Sequence, residues 1–158
     1  MFGRRGVLDG FSGAGSDPVI VRPGEGRRSG GTSGTGRVKV DLADNRSFAI
    51  VESSPPAGAL GPPRHIHDEY DEAWYVLDGE MEFSIGDRVE LCGSGSLAFA
   101  PRGVAHGFRN PGPRDARLLV IMTAECLQLV EEGGAAAAAG DRSALSEILR
   151  RYRSRMAE

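Results

Sequence analysis

From residue 38 onward, apolar and polar positions alternate in short runs, and nearly every run stops at Gly, Pro, Asp or Asn. The clearest is 80–85, where Met81, Phe83 and Ile85 alternate with Glu80, Glu82 and Ser84. Successive side chains of a strand point to opposite faces, so period two predicts a strand with one buried face. The same reading predicts strands over 38–42, 47–53, 64–67, 73–77, 81–85, 89–91, 97–100, 104–110 and 116–122. Asp44-Asn45 supplies the turn between the first two, and 55–63 reads as a loop. Pro18-Val19-Ile20-Val21 reads as one more short strand. Many short strands at close spacing predict an all-β sandwich or double-sheet barrel.

After residue 122 the period changes. Residues 123–132 read as a short helix. The alanines of 135–139 favour helix, but Gly133-Gly134 and Gly140 limit it. Over 143–156, Leu145, Ile148, Leu149, Tyr152 and Met156 fall on one helical face, which predicts an amphipathic helix docked outside the barrel. Asp141 or Ser143 caps its start, and Arg150, Arg151, Arg153 and Arg155 complement the negative end of its dipole. The predicted organisation is a flexible segment over 1–17, rich in Gly, Arg and Ser, a barrel over 18–122, and a helical segment over 123–158. The Gly-rich stretch 24–36 reads as a loop, with Arg27-Arg28 as solvated charge.

The chain of 158 residues is long enough for one domain with a sizeable core. Its net charge of −3 gives no basic field for nucleic acid. No apolar run is long enough to span a membrane. Arg4-Arg5 is followed by Asp9 and no apolar stretch, which argues against an export signal. Two cysteines, Cys92 and Cys126, make no disulfide framework; they read as small buried hydrophobes and point to a cytoplasmic protein. No phosphate loop, nucleotide fingerprint or pair of catalytic carboxylates stands out.

The candidate chemistry lies in the histidines. There are three, His65, His67 and His106. On a strand, residues two apart point the same way, so His65 and His67 project into one space. Glu72 is far enough along to re-enter after a turn through Asp68-Glu69-Tyr70-Asp71, whose acids read as solvated surface. His106 arrives from a distant strand. Three neutral imidazoles and one carboxylate make a mixed nitrogen and oxygen site for one divalent transition metal, with positions left open. Iron, manganese, nickel, copper and zinc all suit this set.

These residues carry a resemblance. The spacing His65-x-His67-x4-Glu72-x6-Gly79 and the run Gly95-x5-Pro101-x-Gly103-x2-His106-x3-Asn110 resemble the two motifs of the cupin superfamily. The gap between them is 15 residues, as in compact single-domain bacterial members. Two positions depart: Ala59 stands at the first motif's glycine, and Ser96 where many relatives carry Asp. Neither touches a ligand. Arg22-Pro23-Gly24-Glu25-Gly26 and the C-terminal helix look loosely like the quercetin-dioxygenase-like branch.

The resemblance implies a double-stranded β-helix, a jelly-roll barrel, with His65, His67, Glu72 and His106 as metal ligands lining its cavity. It also implies a small-molecule substrate and a homodimer, with residues 18–22 either crossing to the partner or closing their own sheet. In quercetinase-like relatives the glutamate also takes a proton from the substrate, which makes Glu72 the candidate catalytic base. Within that fold, strand parity turns Trp74 and Val76 inward with Glu72, and Phe108 and Asn110 inward with His106. Phe83 and Phe99 join them as candidate substrate walls, while Tyr75 points behind the sheet. An aromatic cavity around a metal suits a flat, hydrophobic substrate. Three functions fit: an oxygenase acting on a phenol or enol, a non-redox cyclase, isomerase or lyase, and a barrel that only binds a small molecule. The absence of a second domain such as a helix-turn-helix lowers the last.

Overall fold

The alternation along the chain becomes two antiparallel sheets packed face to face. The structure, a computed structural model, describes residues 18–30, 36–45 and 47–157. Its strands are β1 (Arg27–Arg28), β2 (Arg37–Val40), β3 (Ala49–Ser53), β4 (His65–His67), β5 (Glu72–Asp78) and β6 (Glu80–Ile85). They continue as β7 (Arg88–Gly93), β8 (Leu97–Ala100), β9 (His106–Arg109) and β10 (Arg117–Met122). Two helices follow, α1 (Ala124–Ala138) and α2 (Arg142–Arg151), and then β11 (Ser154–Met156). One sheet runs β1-β2-β3-β10-β5-β8 and the other β11-β4-β9-β6-β7. The fold is an all-β jelly roll with a C-terminal helix pair. Among the described residues, no helix is long and apolar enough to cross a membrane.

The core follows from register. Val51, Val120, Trp74 and Ala98 lie side by side across four strands of the first sheet and share one inward face. Met81 and Phe83 meet them from the second sheet. Burying such side chains removes apolar surface from water at roughly 25 cal/mol per Å² and is what holds the sheets together. Glu72 occupies the next inward row, between Met122 and Ala100. The tight turn from β5 into β6 needs Gly79: its φ is +77°, and a Cβ there would lie 3.0 Å from the backbone of Ala116.

Four expectations change. Residues 18–21 form no strand. Inside the expected loop, β1 pairs with β2 instead, and Arg27 bridges Asp41 and Glu131 of α1. Backbone ladders need no apolar pattern, so alternation does not reveal such a pair. Helix α1 runs through Gly133-Gly134 into the alanines rather than stopping at 132. Gly133 is buried against Leu145 of α2, so helix packing outweighs the roughly 1 kcal/mol that each glycine costs. Finally, the second helix ends at Arg151, not 156. Arg153 takes a left-handed φ of 47°, and the chain reverses into β11 beside β4. An unpaired β4 edge would leave its backbone groups without partners, and the ladder offsets the cost of that turn. Segment 1–17 lies outside the described residues.

Candidate metal centre

Each putting-together step is local. β4 projects His65 and His67 from one edge, β9 begins with His106, and β5 begins with Glu72. His65 pairs directly with His106 across the β4–β9 ladder. The three imidazole rings sit 4.5 Å (His65–His106), 4.7 Å (His65–His67) and 5.1 Å (His67–His106) apart between centres. Glu72 Oε2 is 3.3 Å from His106 Nε2 and 3.6 Å from His67 Nε2. One ligand atom from each of the four residues lies within 4.8 Å of all the others. His67, Glu72 and His106 are buried, with 2%, 5% and 1% exposure, and His65 is partly buried at the mouth.

Hydrogen bonds behind the rings fix their protons. His65 Nδ1 lies 2.9 Å from the Pro63 carbonyl, and His106 Nδ1 lies 2.9 Å from the Val104 carbonyl. A carbonyl only accepts, so each Nδ1 donates. His67 Nδ1 lies 2.8 Å from Ser154 Oγ, whose own proton goes to the Tyr152 carbonyl at 3.1 Å. Ser154 therefore accepts, and His67 Nδ1 donates as well. In neutral rings this leaves the Nε2 lone pairs directed at the shared space.

The charge of His65 agrees with this. Burial, then His106 and His67, pull His65 down to about 4, so its ring is neutral at neutral pH. Burial raises Glu72, and the pull that lowers it to about 2 comes from Nε2–H donation and charge on the His106 and His67 rings, which is absent when their protons sit on Nδ1. A buried carboxylate thus faces several lone pairs, and His106 Nε2 has no hydrogen-bond partner. Such convergence is costly unless a cation sits within it, and three imidazoles with one carboxylate suit a divalent transition metal. The cluster passes as a site that could hold one.

The cavity at the cluster is about 320 Å³. His65, His67 and Glu72 line its inner end. The rest of the wall is Pro62 and Pro63, with Leu129, Val130, Gly133, Gly134 and Ala137 of α1, Leu145 and Leu149 of α2, and Met156 of β11. None of the five expected wall residues lines it. Trp74, Val76 and Phe83 do face inward, as parity predicts, but they fill the barrel core; Trp74 stacks behind His106 at 5.5 Å and beside Phe83 and Phe108. Phe99 is a correction of direction: it is 52% exposed, while Ala98 and Ala100 take the inward positions of β8. Its register partner is Ala73, on the face opposite Glu72. Phe83 and Phe99 both line a separate cavity of about 190 Å³ walled by β6, β7 and β8. Asn110 is buried as a bracket: its amide donates to the Pro55, Pro56 and Arg114 carbonyls and its oxygen accepts from Gly112 N. Tyr75 faces outward.

Two neighbours of the cluster were not legible as such. Ser154 falls within the stretch read as helix, and no spacing rule ties it to His67. Cys126, near the start of α1, is buried with Sγ 3.8 Å from His67 Nε2, and burial pushes its thiol well above the usual range. Its burial was expected; its position was not. The acids of the turn pair with arginines: Asp68 with Arg155, Glu69 with Arg153, and Asp71 with Arg102.

Two facing sheets around a three-histidine, one-glutamate cluster define a jelly roll with a site that could hold a metal. Residues 52–122 match the family model of the cupin domain. Over 96 residues, 58% of the chain, it is 34% identical to quercetin 2,3-dioxygenase of Bacillus subtilis. That match spans 27% of the relative, so the chain corresponds to about a quarter of its length. Among solved structures it is similar to the polyketide cyclase RemF from Streptomyces resistomycificus. The TM-score is 0.58 at 26% identity, covering 68% of this chain and 80% of that one. An RmlC-like cupin from Shewanella frigidimarina shares the fold, with a TM-score of 0.56 at 18% identity over 70% of this chain and 95% of that one.

Proposed function

We propose that the chain is a metal-dependent enzyme, an oxygenase acting on a phenolic or enolic small molecule at a His65, His67, Glu72 and His106 centre. The observation that carries this is the chemistry of the 320 Å³ cavity: its only ionisable residues are metal-ligand candidates, and its other side chains are hydrocarbon or thioether. Among the described residues, no Lys or Arg lines it to receive a phosphate. A substrate that fits is hydrophobic and presents an oxygen to the cluster. Iron, manganese, nickel, copper or zinc bound there supplies Lewis acidity and, for a redox-active ion, a route to dioxygen chemistry. As a carboxylate, Glu72 accepts the substrate hydroxyl proton. The aliphatic cap excludes water from that transfer. The similarity to quercetin 2,3-dioxygenase supports this reading.

A second reading, a non-redox cyclase, is favoured by one fact: the likeness to the polyketide cyclase covers 80% of that protein. Metal analysis of protein purified without a tag, followed by oxygen uptake with candidate phenols, separates the two. Turnover independent of oxygen with zinc as the native metal would select the cyclase. Glu72→Gln is expected to keep much of the metal and lose most of the rate, about a hundredfold or more, because the amide offers an oxygen but accepts no proton. A cytoplasmic homodimer belongs to the same proposal. Leu97 and Phe99, exposed on the edge strand β8, are the surface it would cover. A light-scattering mass of one chain would remove it.

A further inference from the structure

We infer that Ser154 is a positioning residue for this centre: its hydroxyl decides which nitrogen of His67 is free to bind a metal. The inference rests on the metal reading above, and its geometry is the contact of His67 Nδ1 with Ser154 Oγ. A neutral His67 has two places for its one ring proton. On Nδ1 it is donated to Ser154 Oγ at 2.8 Å; on Nε2 it would face Glu72 Oε2 at 3.6 Å. The second choice puts a proton where the metal belongs. Ser154 opposes it, because its own hydrogen is committed to the Tyr152 carbonyl at 3.1 Å and only its lone pairs face the ring.

The hydroxyl is held in place by the β11–β4 seam. Ser154 stands opposite His67 in register. Asp68 N donates to the Arg153 carbonyl at 2.9 Å, and Ala157 N donates to the Arg64 carbonyl at 3.0 Å, one on each side of that pair. Ser154 and His67 are both buried, with 6% and 2% exposure, so bulk water cannot readily replace the hydroxyl. His65 and His106 differ in kind: their Nδ1 partners are backbone carbonyls two residues back, present whatever the tail does.

The test uses the full chain and zinc(II) as the probe, with affinity read by competition against a chromophoric chelator. Ser154→Ala is expected to weaken zinc binding about ten- to a hundredfold, the usual consequence of losing a group that orients a ligand. Ser154→Thr, which keeps the hydroxyl, restores affinity to within about threefold. Arg155→Ala, which loosens the seam but spares the hydroxyl, stays within about threefold of the unaltered chain. A long-range proton–nitrogen NMR correlation of metal-free protein gives a readout that a purely structural role would not move. His67 should carry its proton on Nδ1 in the unaltered chain and shift toward Nε2 in Ser154→Ala. An Nε2–H ring in the unaltered chain overturns the inference, even if Ser154→Ala fails to fold. So does unaltered zinc affinity in Ser154→Ala, or an equal loss in Arg155→Ala. If the unaltered chain binds no zinc, iron, nickel or manganese, the metal reading fails, and the His67 tautomer alone decides the role of Ser154.

Discussion

Two of the three histidines are supported from within their own turn, and the third is supported from 87 residues away. Pro63 and Val104 each offer a carbonyl two positions before the ring they orient. His67 depends instead on a side chain delivered by β11. The local supports come with the strand entry itself and survive any side-chain change at those positions. The remote one rests on a single hydroxyl and on everything that brings it back to β4. One cluster thus combines two kinds of reliability, although its rings look alike.

The largest expected effect treats the histidines as equals. His65→Ala, His67→Ala and His106→Ala should each reduce bound metal from about one ion per chain to a small fraction, read by elemental analysis. Full retention in His67→Ala alone would break the comparison, since the remotely supported ring would then not be a ligand. Trp74→Ala should cost about 3–5 kcal/mol in chemical denaturation, because the ring is packed core. Its metal content should stay near that of the unaltered chain while folded. If instead stability holds and substrate affinity alone falls, Trp74 is a wall after all.

A third outcome follows from pH. His65 is depressed from 6.5 to about 4, so between those values the unfolded chain binds the proton more readily. The metal-free protein is therefore expected to gain stability as pH rises from about 4 to 6.5, by up to about 3 kcal/mol. Above 6.5 the contribution is fully present. A denaturation midpoint that is flat over this window would contradict a neutral, partly buried His65. The smallest effect sharpens the contrast in support: Val104→Ala keeps its carbonyl and should leave zinc affinity within about threefold, whereas Ser154→Ala does not.

Much of the barrel was legible because its strands have one wet face. Met81, Phe83, Trp74 and Val76 follow parity, and the ligands follow it too, through His65-x-His67 and the start of β5. The cavity was not legible. Parity tells which residues face inward, but not which of them fill the barrel and which are left beside the cluster. Trp74, Phe83 and Phe108 fill it, and the helices supply the wall. Phe99 was misread because its strand alternates small residues inward and large ones outward, the reverse of the usual order. The tail was misread because Met156 keeps helical spacing across a reversal made by one left-handed arginine, a conformation with no residue signature here. Ser154 required a tertiary contact, which no local pattern encodes.

The span between His67 and Ser154 is also an interval of time. A ribosome adds roughly 5–20 residues per second, so 87 residues separate the two by on the order of ten seconds. For the last 48 residues of that span, from His106 to Ser154, all three rings and Glu72 already exist, but His67 lacks the acceptor behind it. A nascent barrel that meets a metal early meets a looser site than the finished one. Release from that early encounter is expected to be easy, and retention begins when the last strand closes.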